Sequence, residues 1–69
     1  MSESVYKVIE LVGTSTASWE EAAKNAVETA SKSLKDLRVA EITKLDMKVE
    51  GGLVTAFRSR VKLSFKYAT

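Results

Sequence analysis

Four basic side chains recur along the last segment of the chain, at Arg58, Arg60, Lys62 and Lys66. In an extended strand, residues two apart share a face. This spacing therefore lines up guanidinium and ammonium groups in one row, chemistry suited to the phosphates of a nucleotide ligand or of nucleic acid. Two features argue against nucleic acid. The formal net charge is only +2, and no aromatic residue interleaves on the basic face to stack on bases. The plainer reading is a solvated sheet face, or one paired with acids of another copy.

Nine carboxylates are scattered through the chain. Asp36, Glu41 and Asp46 offer oxygens that several copies together could present to Ca²⁺ or Mg²⁺, but no EF-hand-like loop collects them within one chain. Solvated charge is the plainer reading, and no metal ligand is assigned to a particular residue. Nucleophilic catalysis is poorly supplied. Thr14, Ser15 and Ser18 lie close together, yet there is no histidine to act as base and no cysteine thiol. No lysine sits in an apolar stretch that would depress its pKa. The three hydroxyls read as a loop entering a capped helix. Trp19, the one tryptophan, could stack on a flavin or a base. In phase with Ala22, Ala23 and Ala26, it reads instead as an anchor for that helix. The expectation is a protein without enzymatic activity.

The elements that must position these groups follow from periodicity. Val5–Val12 is dense in β-branched and aromatic residues and is punctuated by Gly13-Thr14-Ser15, which predicts a strand. Both of its faces carry apolar residues, so it should be covered on two sides. Ser18-Trp19-Glu20-Glu21 fits a capping box. From there Trp19, Ala22, Ala23, Ala26, Val27, Ala30, Leu34 and Leu37 recur at spacings of three and four. That predicts an amphipathic helix of about 18 residues, with Lys32 and Lys35 near its C-terminal end. Val39–Val49 and Leu53–Tyr67 flank Gly51-Gly52, a pair suited to a tight hairpin turn. The last strand alternates. Leu53, Thr55, Phe57, Ser59, Val61, Leu63, Phe65 and Tyr67 form its mostly apolar face, and the basic residues lie on the other. In the preceding strand Leu45, Met47 and Val49 share one parity while Ala40 and Ile42 take the other, which a bulge near Thr43 or Lys44 would reconcile. The expected fold class is α+β in the order β-α-β-β. A three-stranded antiparallel sheet wraps one helix, with the last strand in the middle.

Residues 1–69 are expected to form a single domain, and one with a stability problem. Chains below roughly 70–80 residues rarely gain more than about 3–5 kcal/mol from one core, and here no disulfide can staple the fold. The hairpin strands would reach about 36 and 50 Å, against a radius of gyration of about 11 Å for a compact chain of this length. They should overhang the core or wrap strongly around the helix. Overhanging apolar strands need partners, so a homo-oligomer is expected. No charged leader with an apolar segment and no run of about 18 apolar residues is seen. The cytoplasm is the expected compartment, with no membrane partner.

These residues resemble a dodecin. The resemblance covers nearly the whole chain. It rests on Val5-Tyr6-Lys7-Val8-Ile9-Glu10-Leu11-Val12-Gly13-Thr14-Ser15, the alanine-rich helix after Ser18, Val39-Ala40-Glu41-Ile42, and Val61-Lys62-Leu63-Ser64-Phe65-Lys66. It implies a hollow spherical homododecamer that binds flavin (riboflavin or FMN) without catalysis, in a storage or scavenging role. Flavin-binding dodecins place a tryptophan early in the second strand, where the flavin ring stacks, and the matching position here is Val39. They place a glutamine in the third strand, and the match here is Arg58. Both cofactor-binding positions are thus substituted. Val39 offers no π-face, so stacking worth about 1 kcal/mol per aromatic contact is lost. Arg58 can donate but not accept. Ser18-Trp19-Glu20 and Leu37-Arg38-Val39-Ala40 look more like the calcium-associated subgroup, which implies Ca²⁺ as the alternative ligand.

Overall fold

The computed structural model describes residues 4–67. Strand β1 (Tyr6–Ser15) leads into helix α1 (Trp19–Ala30), followed by the hairpin of β2 (Leu37–Glu50) and β3 (Leu53–Lys66). The sheet order is β1-β3-β2, antiparallel throughout, so the last strand is central as expected. Gly51 and Gly52 turn the hairpin at φ 57° and 78°, the left-handed region that glycine enters without a Cβ penalty. Among the described residues no helix is long and apolar enough to cross a membrane.

From Phe57 onward the odd-numbered residues of β3 face the helix. Ser59, Val61 and Leu63 are fully buried there, against Ala22, Ala23, Ala26 and Ala30 of α1. Alanines let the helix backbone lie close to the sheet, and Gly13 takes that approach to its limit. A Cβ built there would lie 2.0 Å from the Ala22 carbonyl oxygen. Gly13 therefore belongs inside the strand. β1 continues through it to Ser15 instead of stopping at Val12.

Helix α1 is shorter than its periodicity predicts. It ends at Ala30, with Ser31 as its C-cap and no basic residue in its last turn. The Ser31 hydroxyl donates to the Glu28 carbonyl, and the N–H groups of Ser33 and Leu34 both donate to Ala30 O. Serine hydroxyls that bond nearby backbone compete with helix continuation. Leu34 and Leu37 still pack on the core, but from a turn and a strand start. That is why they keep the helical phase. The capping box is half formed: Ser18 Oγ accepts from Glu21 N at 3.0 Å, while the Ser18 N–H points to Ser15 Oγ.

Pairing of β2 with β3 shifts register between Ile42 and Lys44, which leaves Thr43 as the bulge the parity change requires. Its hydroxyl donates to Arg60 O at 3.2 Å. A second shift, between Lys48 and Val49, skips Thr55 on β3.

The expected two-sided cover of β1 is not supplied by its own chain. Ile9 and Leu11 pack on the core, whereas Tyr6, Val8 and Val12 on the opposite face are exposed. The helix covers β1 and the inner half of β3 and barely reaches β2. On the helix side of β2, Ile42, Leu45 and Met47 remain 46–52% exposed, and Val49 beyond them is 59% exposed. The hairpin overhangs its core, as its length demands. The described chain measures 54 × 20 × 14 Å with a Cα radius of gyration of 14.2 Å, well above the compact value of about 11 Å.

Candidate functional site

The register assembles the outer face of the sheet row by row. Thr14, Arg58 and Asp46 form one row; Val12, Arg60 and Lys44 the next; then Glu10, Lys62 and Glu41; and then Val8, Ser64 and Val39. The basic stripe is thus interleaved with acids of its own chain. Arg58 grips Asp46 with two hydrogen bonds, Nε to Oδ1 at 2.7 Å and an Nη to Oδ2 at 2.9 Å. Arg60 approaches Glu10 at 3.8 Å, and Lys62 stands between Glu10 and Glu41 in register. A bare phosphate-binding stripe does not form. Of the acids that could have served a neighbouring copy, Asp46 pairs with Arg58 of the stripe and Asp36 with Arg38.

The hydrogen bond from Arg58, aided by the Arg58 and Arg60 charges, holds the Asp46 carboxyl below its ordinary value of 3.8. The same bond pushes Arg58 above its usual value. Because the folded pKa of Asp46 is lowered, its stabilisation is fully present above the ordinary carboxylate range and is lost as pH falls through the folded value. Asp46→Asn is therefore expected to melt below wild type at neutral pH, with the difference closing below about pH 4. Melting temperatures measured across pH 2–7 check this, and a constant difference would contradict it.

Trp19 is an anchor, as its phase predicts. Its indole N–H donates to the Asp46 carbonyl at 2.9 Å, and its ring meets Phe57 edge-on at 5.0 Å between centroids. Its own carbonyl accepts from Ser59 Oγ at 2.8 Å, which satisfies the one buried polar side chain among the described residues. The hydroxyl cluster is likewise structural: Ser15 Oγ accepts from Ala17 N, and Ser18 Oγ caps the helix.

The two expected cofactor-binding positions do not meet within one chain. Val39 lies opposite Ser64, six residues along β3 from Arg58, a separation of about 20 Å. Val39 is 55% exposed and lines an open cleft of about 320 Å³ with Val27, Ser31, Leu37, Arg38 and Ala40. No aromatic ring lies in this wall to stack a flavin. Arg58, where an amide would both donate and accept, is occupied by Asp46. The metal reading meets a similar limit. No group of three or more carboxylates, histidines or cysteines gathers among the described residues, and Asp36 and Asp46 each face an arginine. Among the described residues of one chain, no carboxylate set stands ready for calcium. Carboxylates from more than one copy would be needed.

The class is a small α+β fold, β-α-β-β, whose three-stranded antiparallel sheet wraps one helix. The chain belongs to the dodecin family, whose model matches residues 5–68. It is similar to the calcium dodecin of Mycobacterium tuberculosis, with 46% identity over 63 residues, 91% of this chain and 89% of the relative. The crystal structure of the calcium dodecin from that organism, a calcium-chelating antigen with a calcium-binding site, superposes at a TM-score of 0.83 with 45% identity, over 94% of this chain and 93% of that one. The dodecin of Streptomyces coelicolor superposes at 0.91 with 36% identity, over 100% and 99%. Dodecins are small binding proteins that form homo-oligomers.

Proposed function

We propose that this protein is a non-enzymatic, homododecameric cage that binds and sequesters a small ligand. The observation that carries the reading is the uncovered apolar row of β2 on a hairpin that outruns its own core. Burying such a row between copies is the stabilisation a chain this short lacks. Light scattering should give a particle near twelve times the chain mass, and a stable monomer would refute the reading.

Flavin, riboflavin or FMN, is the ligand that family membership favours, bound weakly because Val39 and Arg58 replace the stacking and hydrogen-bonding residues. Since the two positions lie about 20 Å apart in one chain, a flavin site that uses both draws them from different copies. Val39→Trp restores a π-face and is expected to tighten riboflavin by about fivefold or more. Quenching of flavin fluorescence reads this directly, and an unchanged affinity would remove Val39 from the site. A second reading, a cage that binds calcium without flavin, is favoured by the likeness to the calcium dodecin of Mycobacterium tuberculosis. Its mark would be a calcium-dependent rise in melting temperature beside a flat riboflavin titration.

A further inference from the structure

Arg58 gives Asp46 the fork of donors that a phosphate would take. Nε and one Nη donate to the two carboxylate oxygens, at 2.7 and 2.9 Å, a two-point grip that suits carboxylates and phosphates alike. Asp46 is fixed at its backbone as well, because its carbonyl accepts the Trp19 indole N–H at 2.9 Å. The surroundings are basic. Across the rows of Lys48, Arg58 and Arg60, the outer face carries Lys44, Lys48, Arg58 and Arg60 against Asp46 alone, and β1 adds only the neutral Thr14 and Val12. Glu10 and Glu50 reach this patch from its borders, at 3.8 Å from Arg60 and 3.9 Å from Lys48. Stripping four cations of water between copies is costly, and laying the patch on its own counterpart would oppose like charges. Such a face favours solvent or an anion.

We infer that Asp46 is a specificity determinant: it fills the anion-binding fork of Arg58 from within the chain, and so sets the protein against ligands that bring a phosphate of their own. The inference rests on the flavin reading, in which Arg58 lies at the ligand, and extends it to the choice between riboflavin and its phosphate ester FMN. A ligand phosphate meets a guanidinium already satisfied. To reach it, the phosphate must displace Asp46 and then lie beside a freed carboxylate. Riboflavin is uncharged and meets neither obstacle. Once Asp46 is neutralised the fork is open, and Lys44, Lys48 and Arg60 add to its pull on the phosphate.

Fluorescence titrations of the assembled protein with riboflavin and with FMN test it. Asp46→Asn should tighten FMN by about tenfold more than it tightens riboflavin, and Asp46→Ala should shift the ratio in the same direction. Adding Arg58→Gln to Asp46→Asn should abolish the gain. Glu10→Gln removes the same charge one row away without freeing Arg58, and should move the ratio by no more than about threefold. An unchanged ratio in both Asp46 variants, a gain that survives Arg58→Gln, or an equal gain in Glu10→Gln would overturn the inference. Inorganic phosphate, followed through the Arg58 Nε–H resonance, supplies a readout that needs no flavin. Phosphate should shift that resonance in Asp46→Asn at concentrations that leave wild type unmoved. An equal shift in both proteins, or none in either, would overturn the inference too. Flat titrations with riboflavin and FMN, beside the expected phosphate response, would retire the flavin reading and leave the hold of Asp46 on Arg58 standing.

Discussion

Gly13→Ala should destabilise the protein by about 3 kcal/mol or more. That is a fall in melting temperature of at least about 12 °C for a chain of this size. One methyl does so much because of where it would go. The Cβ would lie 2.0 Å from Ala22 O, and 3.0 Å from both Ala22 C and Ala26 Cβ. The closest of these atoms is helix backbone, so no side chain can swing aside to admit the methyl, and α1 must lift from the sheet. Lifting the helix opens the alanine–Val61–Leu63 core along its length. Gly51→Ala provides the contrast. Nothing lies within 4 Å of its Cβ, but its φ is +57°, so it should cost only about 1–2 kcal/mol of backbone strain. Thermal denaturation of the two variants separates a glycine needed for space from one needed for conformation. Equal losses would contradict the close approach of α1 to β1.

Leu45→Asp is expected to reduce the particle from many copies to one. Leu45 lies with Ile42 and Met47 on the helix side of β2, beyond the reach of α1. In an isolated chain an aspartate there is solvated and nearly harmless. Between copies it would be a carboxylate stripped of water with no cation in the row, at a cost of several kcal/mol for each copy. Light scattering should therefore show a single-chain mass, and the melting temperature should become concentration-independent and low. A variant that assembles like wild type would place the contact elsewhere on the chain. The exposed β1 face of Tyr6, Val8 and Val12 would be the next to substitute.

The sequence made the scaffold legible wherever local chemistry dictated it. The alternation of β3 from Phe57 onward, the Ser18 cap, the Gly51-Gly52 turn and the parity change at Thr43 each have one physical solution, and the structure adopts it; the skip at Thr55 breaks the alternation expected for Leu53 and Thr55. The end of the helix was hidden because Leu34 and Leu37 keep facing the core after the backbone has stopped being helical. The Asp46–Arg58 pair was hidden by a bulge. Counting back from the glycine turn sets Asp46 opposite Phe57, and only the residue skipped at Thr55 brings it opposite Arg58. The site itself was legible only as positions. Val39 and Arg58 could be matched one by one to a flavin pocket, but their separation along β3 depends on register, and any meeting between them depends on other copies.

The β1-β3-β2 order also has a consequence for how the chain is made. The central strand is the last of the three to leave the ribosome, and it is the one to which both others bond. Until β3 emerges, β1 and β2 have no neighbour in the sheet, and Tyr6 must wait for Lys66. Pairing strands so far apart in sequence is the slow kind of contact to form. During synthesis, then, only α1 can take shape in place. The sheet closes only once β3 has emerged, when the first strand in sequence meets the last.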